Sequence, residues 1–225
     1  MSVPRVVAVV PAHNEAEFIY ETVAALKKID TLTEIIVVDD ASTDETPRLA
    51  AQAGAGVIAL ARNSGKGAAL NTGVKGTSAD IYLLLDGDLG DSASDAEYLL
   101  DPLLDGRADM TVAQFPPSRR KGGFGMVKGL ARRGIKFYTG QVMKSPLSGQ
   151  RALTSNVLAA VFPFASGYGV EVGMTIKAIR AGFRVLEVPV AMTHAETGRD
   201  LKGFQHRGKQ FWHITRTLLR VAVLK

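Results

Sequence analysis

Apolar residues along the chain form short uninterrupted runs, separated by segments in which they recur every three or four positions. The runs 6–10, 35–38, 57–60 and 81–85 show no polar alternation, the pattern of strands buried on both faces of a parallel sheet. Between them, residues 15–28 set Phe18, Ile19, Val23 and Leu26 at helical spacing, continued by Ile29. Residues 43–53 and 67–75 predict two further helices, the first with Ser42 or Thr43 as its N-cap. Strands alternating with helices predict βαβ units: an α/β fold built on a single Rossmann-like, mostly parallel sheet with helices on both faces.

The second half is less regular. Residues 109–115 predict a strand, 116–125 a basic loop rich in Gly and Pro, and 124–142 a basic helix. A short strand over 148–153 follows, then a helix over 170–181 that Gly182 can terminate. The strand predicted over 185–192 contains Pro189, which places it at a sheet edge. Residues 202–224 predict a basic C-terminal helix. No linker or internal repeat interrupts this order, so residues 1–225 read as a single domain. It divides into a regular half (1–105), a specialised half (106–200) and the C-terminal helix (201–225).

Composition narrows the chemistry. Charged residues make up 22% and hydrophobic residues 46% of 225, which is globular and not disordered. With no cysteine there is no disulfide and no thiolate metal site, so any metal must sit on oxygen or imidazole. The first apolar run is stopped by Pro11 after five residues, too short for a signal peptide or a membrane span, so the expected location is cytoplasmic. A net charge of +5 and a pI near 9.5 suit an anionic partner: a nucleotide, a phosphorylated acceptor, a membrane face or a nucleic acid.

Four polar clusters follow the first four predicted strands: Pro11-Ala12-His13-Asn14-Glu15, Asp39-Asp40-Ala41-Ser42, Arg62 to Gly67, and Asp86-Gly87-Asp88. Ligands of open parallel sheets bind beyond the carboxyl ends of the strands, so all four clusters would share one rim. Asp86 and Asp88 offer hard oxygens suited to Mg²⁺ or Mn²⁺ bridging a diphosphate, although a solvated strand-end turn carries the same acids. Asp39 or Asp40 can accept from a base or a ribose, or can serve the dipole of the next helix. Lys66 can meet a base or a phosphate, or can be a solvated turn lysine. It is no Walker lysine, because Gly67 stands where Ser or Thr belongs. Glu171 opens a glycine-rich helix start, where it can bind a sugar hydroxyl, act as a base or pair with the dipole. His194 follows the last predicted strand and is a metal-ligand candidate or a surface residue. The cations over 118–136 can clamp a phosphate or form a solvated face. The basic, aromatic C-terminal helix can lie on a membrane or pack on its own domain.

Taken in order, VVPAHNE (9–15), VVDDASTDET (37–46), NSGKGAALNTG (63–73), DGDL (86–89), SGQRA (148–152), GYGVEVG (167–173) and VLEVPV (185–190) resemble glycosyltransferases of the family 2 type, with the GT-A, nucleotide-diphospho-sugar transferase fold. The resemblance implies that Pro11, Ala12, Asn14, Glu15, Asp39, Asp40, Lys66, Asp86 and Gly87 bind the nucleotide-sugar donor. It implies that Asp88 and His194 hold Mg²⁺ or Mn²⁺, and that Asp88 and Glu171 are catalytic. The acceptor is then expected over Lys121, Gly122, Gly123, Gln150, Arg151 and Tyr168. Two subgroups fit: glucosyl-3-phosphoglycerate synthases and polyprenyl-phosphate sugar synthases. The implied reaction moves a hexose, with UDP-glucose the favoured donor, to a phosphorylated small molecule or a lipid phosphate. The lipid reading adds peripheral contact with the inner membrane face, and a homodimer is compatible with either.

Two other classes stay in view. A sugar-phosphate nucleotidyltransferase shares the fold, but its Gly-rich, Arg-containing loop after the first strand is replaced by Pro-Ala-His-Asn-Glu. A nucleic-acid module would want the aromatic stacking pattern of RNA modules interleaved with its basic clusters, and these clusters do not follow that pattern, so no nucleic-acid partner is expected.

Overall fold

A computed structural model of the chain describes residues 3–116, 125–165, 169–192, 212 and 215–219. Among them, seven strands form one sheet: β1 (Val6–Ala12), β2 (Glu34–Asp39), β3 (Gly56–Ala59), β4 (Ile81–Leu84), β5 (Met110–Gln114), β6 (Arg151–Thr154) and β7 (Val185–Pro189). Their order is β3-β2-β1-β4-β6-β5-β7. The β1–β2, β1–β4, β2–β3 and β5–β7 pairs are parallel, whereas β6 runs antiparallel to both β4 and β5. The helices are α1 (Ile19–Leu26), α2 (Thr46–Gln52), α3 (Lys66–Lys75), α4 (Glu97–Leu104), α5 (Gly125–Thr139), α6 (Ser155–Val161) and α7 (Val170–Arg180). A 3₁₀ helix spans Gly90–Ala96.

Alternation along β1 divides the core. Val6, Ala8 and Val10 join the α1, α2 and α4 side, while Val7 and Val9 join the α3, α5, α6 and α7 side. β2 and β4 repeat the division, with Ile35, Val37, Ile81 and Leu83 on the first face and Ile36, Val38, Tyr82 and Leu84 on the second. Residues 6–10 are fully buried, and each of their valines contributes about 1.5–3 kcal/mol of transfer free energy. β1 can be apolar at every position because helices cover both of its faces.

The expected double burial fails at β3, where Gly56 and Ala59 are exposed and Val57 and Ile58 are only half-buried. β3 is the edge strand, so only β2 shelters it. The other edge is β7, where Pro189 is tolerated because its missing amide would face away from β5, while the next amide, of Val190, still donates to the Gln114 carbonyl at 3.2 Å. α1 starts at Ile19, four residues later than periodicity suggested, because Asn14 takes a left-handed φ of 58° and the Glu15 amide donates to Thr46 Oγ1 at 2.8 Å. α2 starts at Thr46 with Glu45 at its N-cap position and no side-chain cap, so neither Ser42 nor Thr43 caps it. Of the expected C-terminal helix, Trp212 and residues 215–219 are described, and they are helical.

Candidate functional site

Strand order reverses between β1 and β4. From β1 the sheet grows through β2 to β3 on one side and through β4 on the other. The crevice at such a switch point, outside the carboxyl ends of the strands, is where open α/β sheets take ligands. The clusters 11–15, 39–42, 62–67 and 86–88 follow the ends of β1, β2, β3 and β4. Because β6 is antiparallel, with Arg151 opposite Leu84, it brings Gly149 and Gln150 to the same rim.

Side chains of the clusters hold one another. Pro11 and Ala12 end β1, and the Ala12 carbonyl accepts from the Asp40 amide at 2.8 Å. Ser42 Oγ accepts from the Asn14 amide at 2.9 Å, and Asn14 Oδ1 accepts from the Thr43 amide at 2.8 Å. The two residues expected to cap α2 thus tie the β2 loop to the β1 loop. Ala41 takes φ 58° inside this knot, an unfavourable conformation for a residue with a Cβ. Asp39 and Asp40 are both 4% exposed but are employed differently. Asp40 accepts from the Ser64 and Gly65 amides at 2.7 Å each, clamping the loop that leads into α3. Gly65, at φ 84°, makes the turn that lets both amides face one carboxylate. Among the described residues Asp39 accepts only long bonds from the Ser42 amide, at 3.2 and 3.4 Å. Of the two acids, Asp40 clamps the loop, each of its oxygens taking one backbone amide.

At the centre of the rim Lys66, the first residue of α3, places Nζ 2.5 Å from Asp86 Oδ1 and 3.1 Å from Glu171 Oε1. Burial pulls the Lys66 pKa down, but the charges of Asp86 and Glu171 and the hydrogen bonds to them outweigh it. The net shift is upward, and Lys66 stays a cation. Gln150, fully buried, donates through Nε2 to the other Asp86 oxygen at 2.9 Å. A Cβ on Gly149 would fall 2.6 Å from Asp86 Oδ2, so only glycine leaves room for this contact.

The acidic turn is fixed from below. Thr22 of α1 is fully buried; its hydroxyl donates to the Gly87 carbonyl at 3.0 Å and accepts from the Gly90 amide at 2.8 Å. Asp88 is half-buried on the same turn. Glu15 faces this turn, and its pKa rises to about 7, through burial first and then through the charges of Asp88 and Asp86. Three hard carboxylates therefore load one edge of the rim with negative charge, an environment that fits a divalent cation. Among the described residues no group of three or more His, Asp or Glu converges closely enough to hold a metal ion by itself. His194, expected beside Asp88, lies outside the described residues.

Other expected residues are placed differently. Arg151, expected at the acceptor, is 1% exposed. Its guanidinium donates to the Ser148 carbonyl at 2.9 Å and to Thr175 Oγ1 at 2.8 Å. Burial lowers its pKa to about 10, with Glu171 and Glu187 opposing. It braces β6 against α7 through these bonds. Gln150 likewise serves Asp86. Lys121, Gly122, Gly123 and Tyr168 lie outside the described residues. Sequence reasoning missed Thr22, since a lone threonine on a helix carries no signal. A cleft of about 340 Å³ between α3 and α6, lined by Lys75, Tyr82, Ser155 and Phe162 among others, opens at the start of β4 and bears none of these clusters.

Comparison with known proteins points the same way. Residues 7–164 match the domain described as glycosyl transferase family 2. The chain is 31% identical to glycosyltransferase AglJ of Haloferax volcanii over 89% of this chain and 67% of that one. It is 26% identical to an undecaprenyl-phosphate mannosyltransferase of Micrococcus luteus over 94% and 93%. With glucosyl-3-phosphoglycerate synthase of Mycobacterium tuberculosis it shares 32% identity, although it spans only 59% of that protein's length. A crystal structure of that synthase with Mn²⁺, UDP-glucose and phosphoglyceric acid superposes with a TM-score of 0.79 and 28% identity, covering 96% of this chain and 79% of the other. Matched over well over half its length, the chain belongs to glycosyl transferase family 2 and is a glycosyltransferase with the GT-A fold.

Proposed function

We propose that the chain moves a hexose from a nucleotide-diphosphate sugar, UDP-glucose first among donors, to a phosphate-bearing acceptor. The observation that carries this reading is the Lys66 ammonium held between Asp86 and Glu171 at the switch point. A donor lying across the rim presents its base to Asp39 and its ribose to Asp86. Its phosphates meet the Lys66 cation, and Gln150 keeps Asp86 oriented from behind. The donor set suits Mg²⁺ or Mn²⁺, with Asp88 and His194 as its protein ligands. A bound divalent cation supplies charge neutralisation for a departing nucleoside diphosphate. Glu171, 8% exposed and anchored by Lys66, is set to orient a sugar hydroxyl. A phosphate or hydroxyl oxygen of the acceptor attacks the anomeric carbon while the bond to the diphosphate breaks. A phosphate oxygen has no proton to lose and needs no strong base, whereas a hydroxyl passes its proton to a base such as Glu171. Lys121, Gly122, Gly123 and Tyr168 are assigned to the acceptor.

Release of UDP from UDP-glucose with Mn²⁺, measured with and without phosphoglycerate, tests the reading. Asp88→Asn is expected to slow turnover by about a hundredfold or more, the scale of losing metal-assisted charge stabilisation. Wild-type turnover in Asp88→Asn would remove Asp88 from the metal site.

A polyprenyl-phosphate acceptor is the second reading. The match to the undecaprenyl-phosphate mannosyltransferase extends along nearly the whole of both chains, which favours it. Both acceptors present a phosphate, so one screen of UDP-glucose and GDP-mannose against polyprenyl phosphate and phosphoglycerate separates them.

A further inference from the structure

Charge is divided sharply along this chain. Residues 110–170 contain nine Lys or Arg and no Asp or Glu, and residues 201–225 contain six and none. The remainder carries twelve Lys or Arg against all 22 acids. The chain is therefore an acidic body with two basic stretches, and the fold joins parts of them. Gly134 of α5 lies against Leu218: a Cβ there would stand 2.8 Å from Leu218 Cδ1. Thr217 packs on Gly173 of α7, with its Cγ2 3.2 Å from a Cβ built there.

Those two contacts decide which sides face outward. At 100° per residue Val127, Ala131 and Ile135 of α5 point inward, and all three are buried. The opposite side carries Met126, 79% exposed, and Phe137, 82% exposed, with Arg133 between them and Lys136 beside them. The neighbouring C-terminal segment exposes Trp212 at 65%, Leu219 at 63% and, on the same side at helical spacing, Arg216. Large exposed apolar side chains set among cations on a helix surface need a partner that is apolar within and anionic at its rim. A second copy docked through this same face would bring like charges together.

We propose that the outer side of α5 and the C-terminal segment beside it form a docking surface for an anionic phospholipid bilayer. Met126, Phe137, Trp212 and Leu219 enter the headgroup boundary, and Arg133, Lys136 and Arg216 meet the lipid phosphates. Among the described residues no helix is long and apolar enough to cross a membrane, so the contact is lateral. None of these residues belongs to the rim at the switch point, so the surface stands or falls independently of the donor and acceptor chemistry.

Trp212 is the only tryptophan in the chain, so its fluorescence reports on this face alone. The full chain is mixed with vesicles of phosphatidylcholine, with or without phosphatidylglycerol, and both sedimentation and emission are followed. Sedimentation with the anionic vesicles and a blue shift of Trp212 emission are expected, both weakening as salt rises. The double variant Met126→Ser, Phe137→Ser changes exposed positions only; it is expected to stay folded by circular dichroism and to bind about tenfold more weakly. Arg133→Gln and Lys136→Gln are each expected to weaken binding about fivefold. No sedimentation with anionic vesicles overturns the proposal, as does binding that these variants leave unchanged. A Trp212 shift that appears with protein concentration alone would assign the face to a second copy instead.

Discussion

The hydroxyl of Thr22 and the carbonyl of Gly87 meet at 3.0 Å beneath the acidic turn, and the same hydroxyl accepts from the Gly90 amide at 2.8 Å. One side chain of α1 thus fixes both ends of the turn that carries Asp88. Thr22→Val keeps the shape and removes the hydroxyl, leaving two backbone groups without that partner. Each polar group so stranded costs about 1–3 kcal/mol. A urea midpoint lowered by an equivalent of about 2 kcal/mol is expected, together with weaker Mn²⁺ binding. Thr22→Ser should recover most of both. Mn²⁺ affinity unchanged in Thr22→Val would mean that the turn is held by other means.

Glu15 gives the protein a pH dependence whose sign follows from its raised pKa of about 7. In the unfolded chain the group titrates near its ordinary 4.5. An acid whose pKa rises on folding contributes stability that is complete below the unfolded pKa and is lost as pH climbs through the folded one. The metal-free protein is therefore expected to weaken between roughly pH 5 and 8. Glu15→Gln should be more stable than wild type at pH 8, with the difference closing by pH 5. Urea unfolding in chelator at the two pH values measures this, and parallel curves for both proteins would contradict it.

Much of the rim was legible because its clusters follow apolar runs that can only be central strands, and the switch-point rule puts strand ends together. What was not legible depends on contacts between distant segments. Nothing in Ser148 to Leu153 announces that β6 runs antiparallel, yet that direction is what carries Gln150 to Asp86. Arg151 reads in the sequence as a cation for a phosphate, while its burial against Thr175 is invisible in a string of letters. Ser42 and Thr43 suit a helix cap by type, but the Asn14 side chain and amide claim them first. Residues 90–104 went unread because Pro102 lies within α4 and a 3₁₀ helix precedes it, which breaks the periodicity.

Arg151 yields a prediction that separates bracing from binding. Arg151→Met fills similar space but leaves Thr175 and the Ser148 carbonyl without their donor. A loss of about 2–3 kcal/mol is expected, which lowers the melting temperature by roughly 5–10 °C for a chain of this size. At a temperature where the variant is folded, its KM for the acceptor should match wild type. A raised acceptor KM with an unchanged melting temperature would return Arg151 to the acceptor site.

Lys66 compensates two carboxylates at once, so its effects should not add to those of its partners. Lys66→Met leaves Asp86 and Glu171 facing each other without their shared cation. The cost expected is about 1–3 kcal/mol, less than the 3–5 of a fully buried pair, because the Lys66 and Asp86 side chains are 30% and 28% exposed and solvent screens them. Removing one of the two charges, in Lys66→Met with Glu171→Gln, should regain part of that stability. The expected coupling is about 0.5–3 kcal/mol, as for residues in one network. Turnover should not return, since Lys66 is assigned to the donor phosphates and a neutral pair leaves them without their cation. A double-mutant cycle on urea midpoints, run beside UDP-release assays, separates the two roles. Strictly additive stabilities would show that Lys66 and Glu171 do not form one electrostatic unit, and recovered turnover would show that Lys66 serves only to neutralise its neighbours.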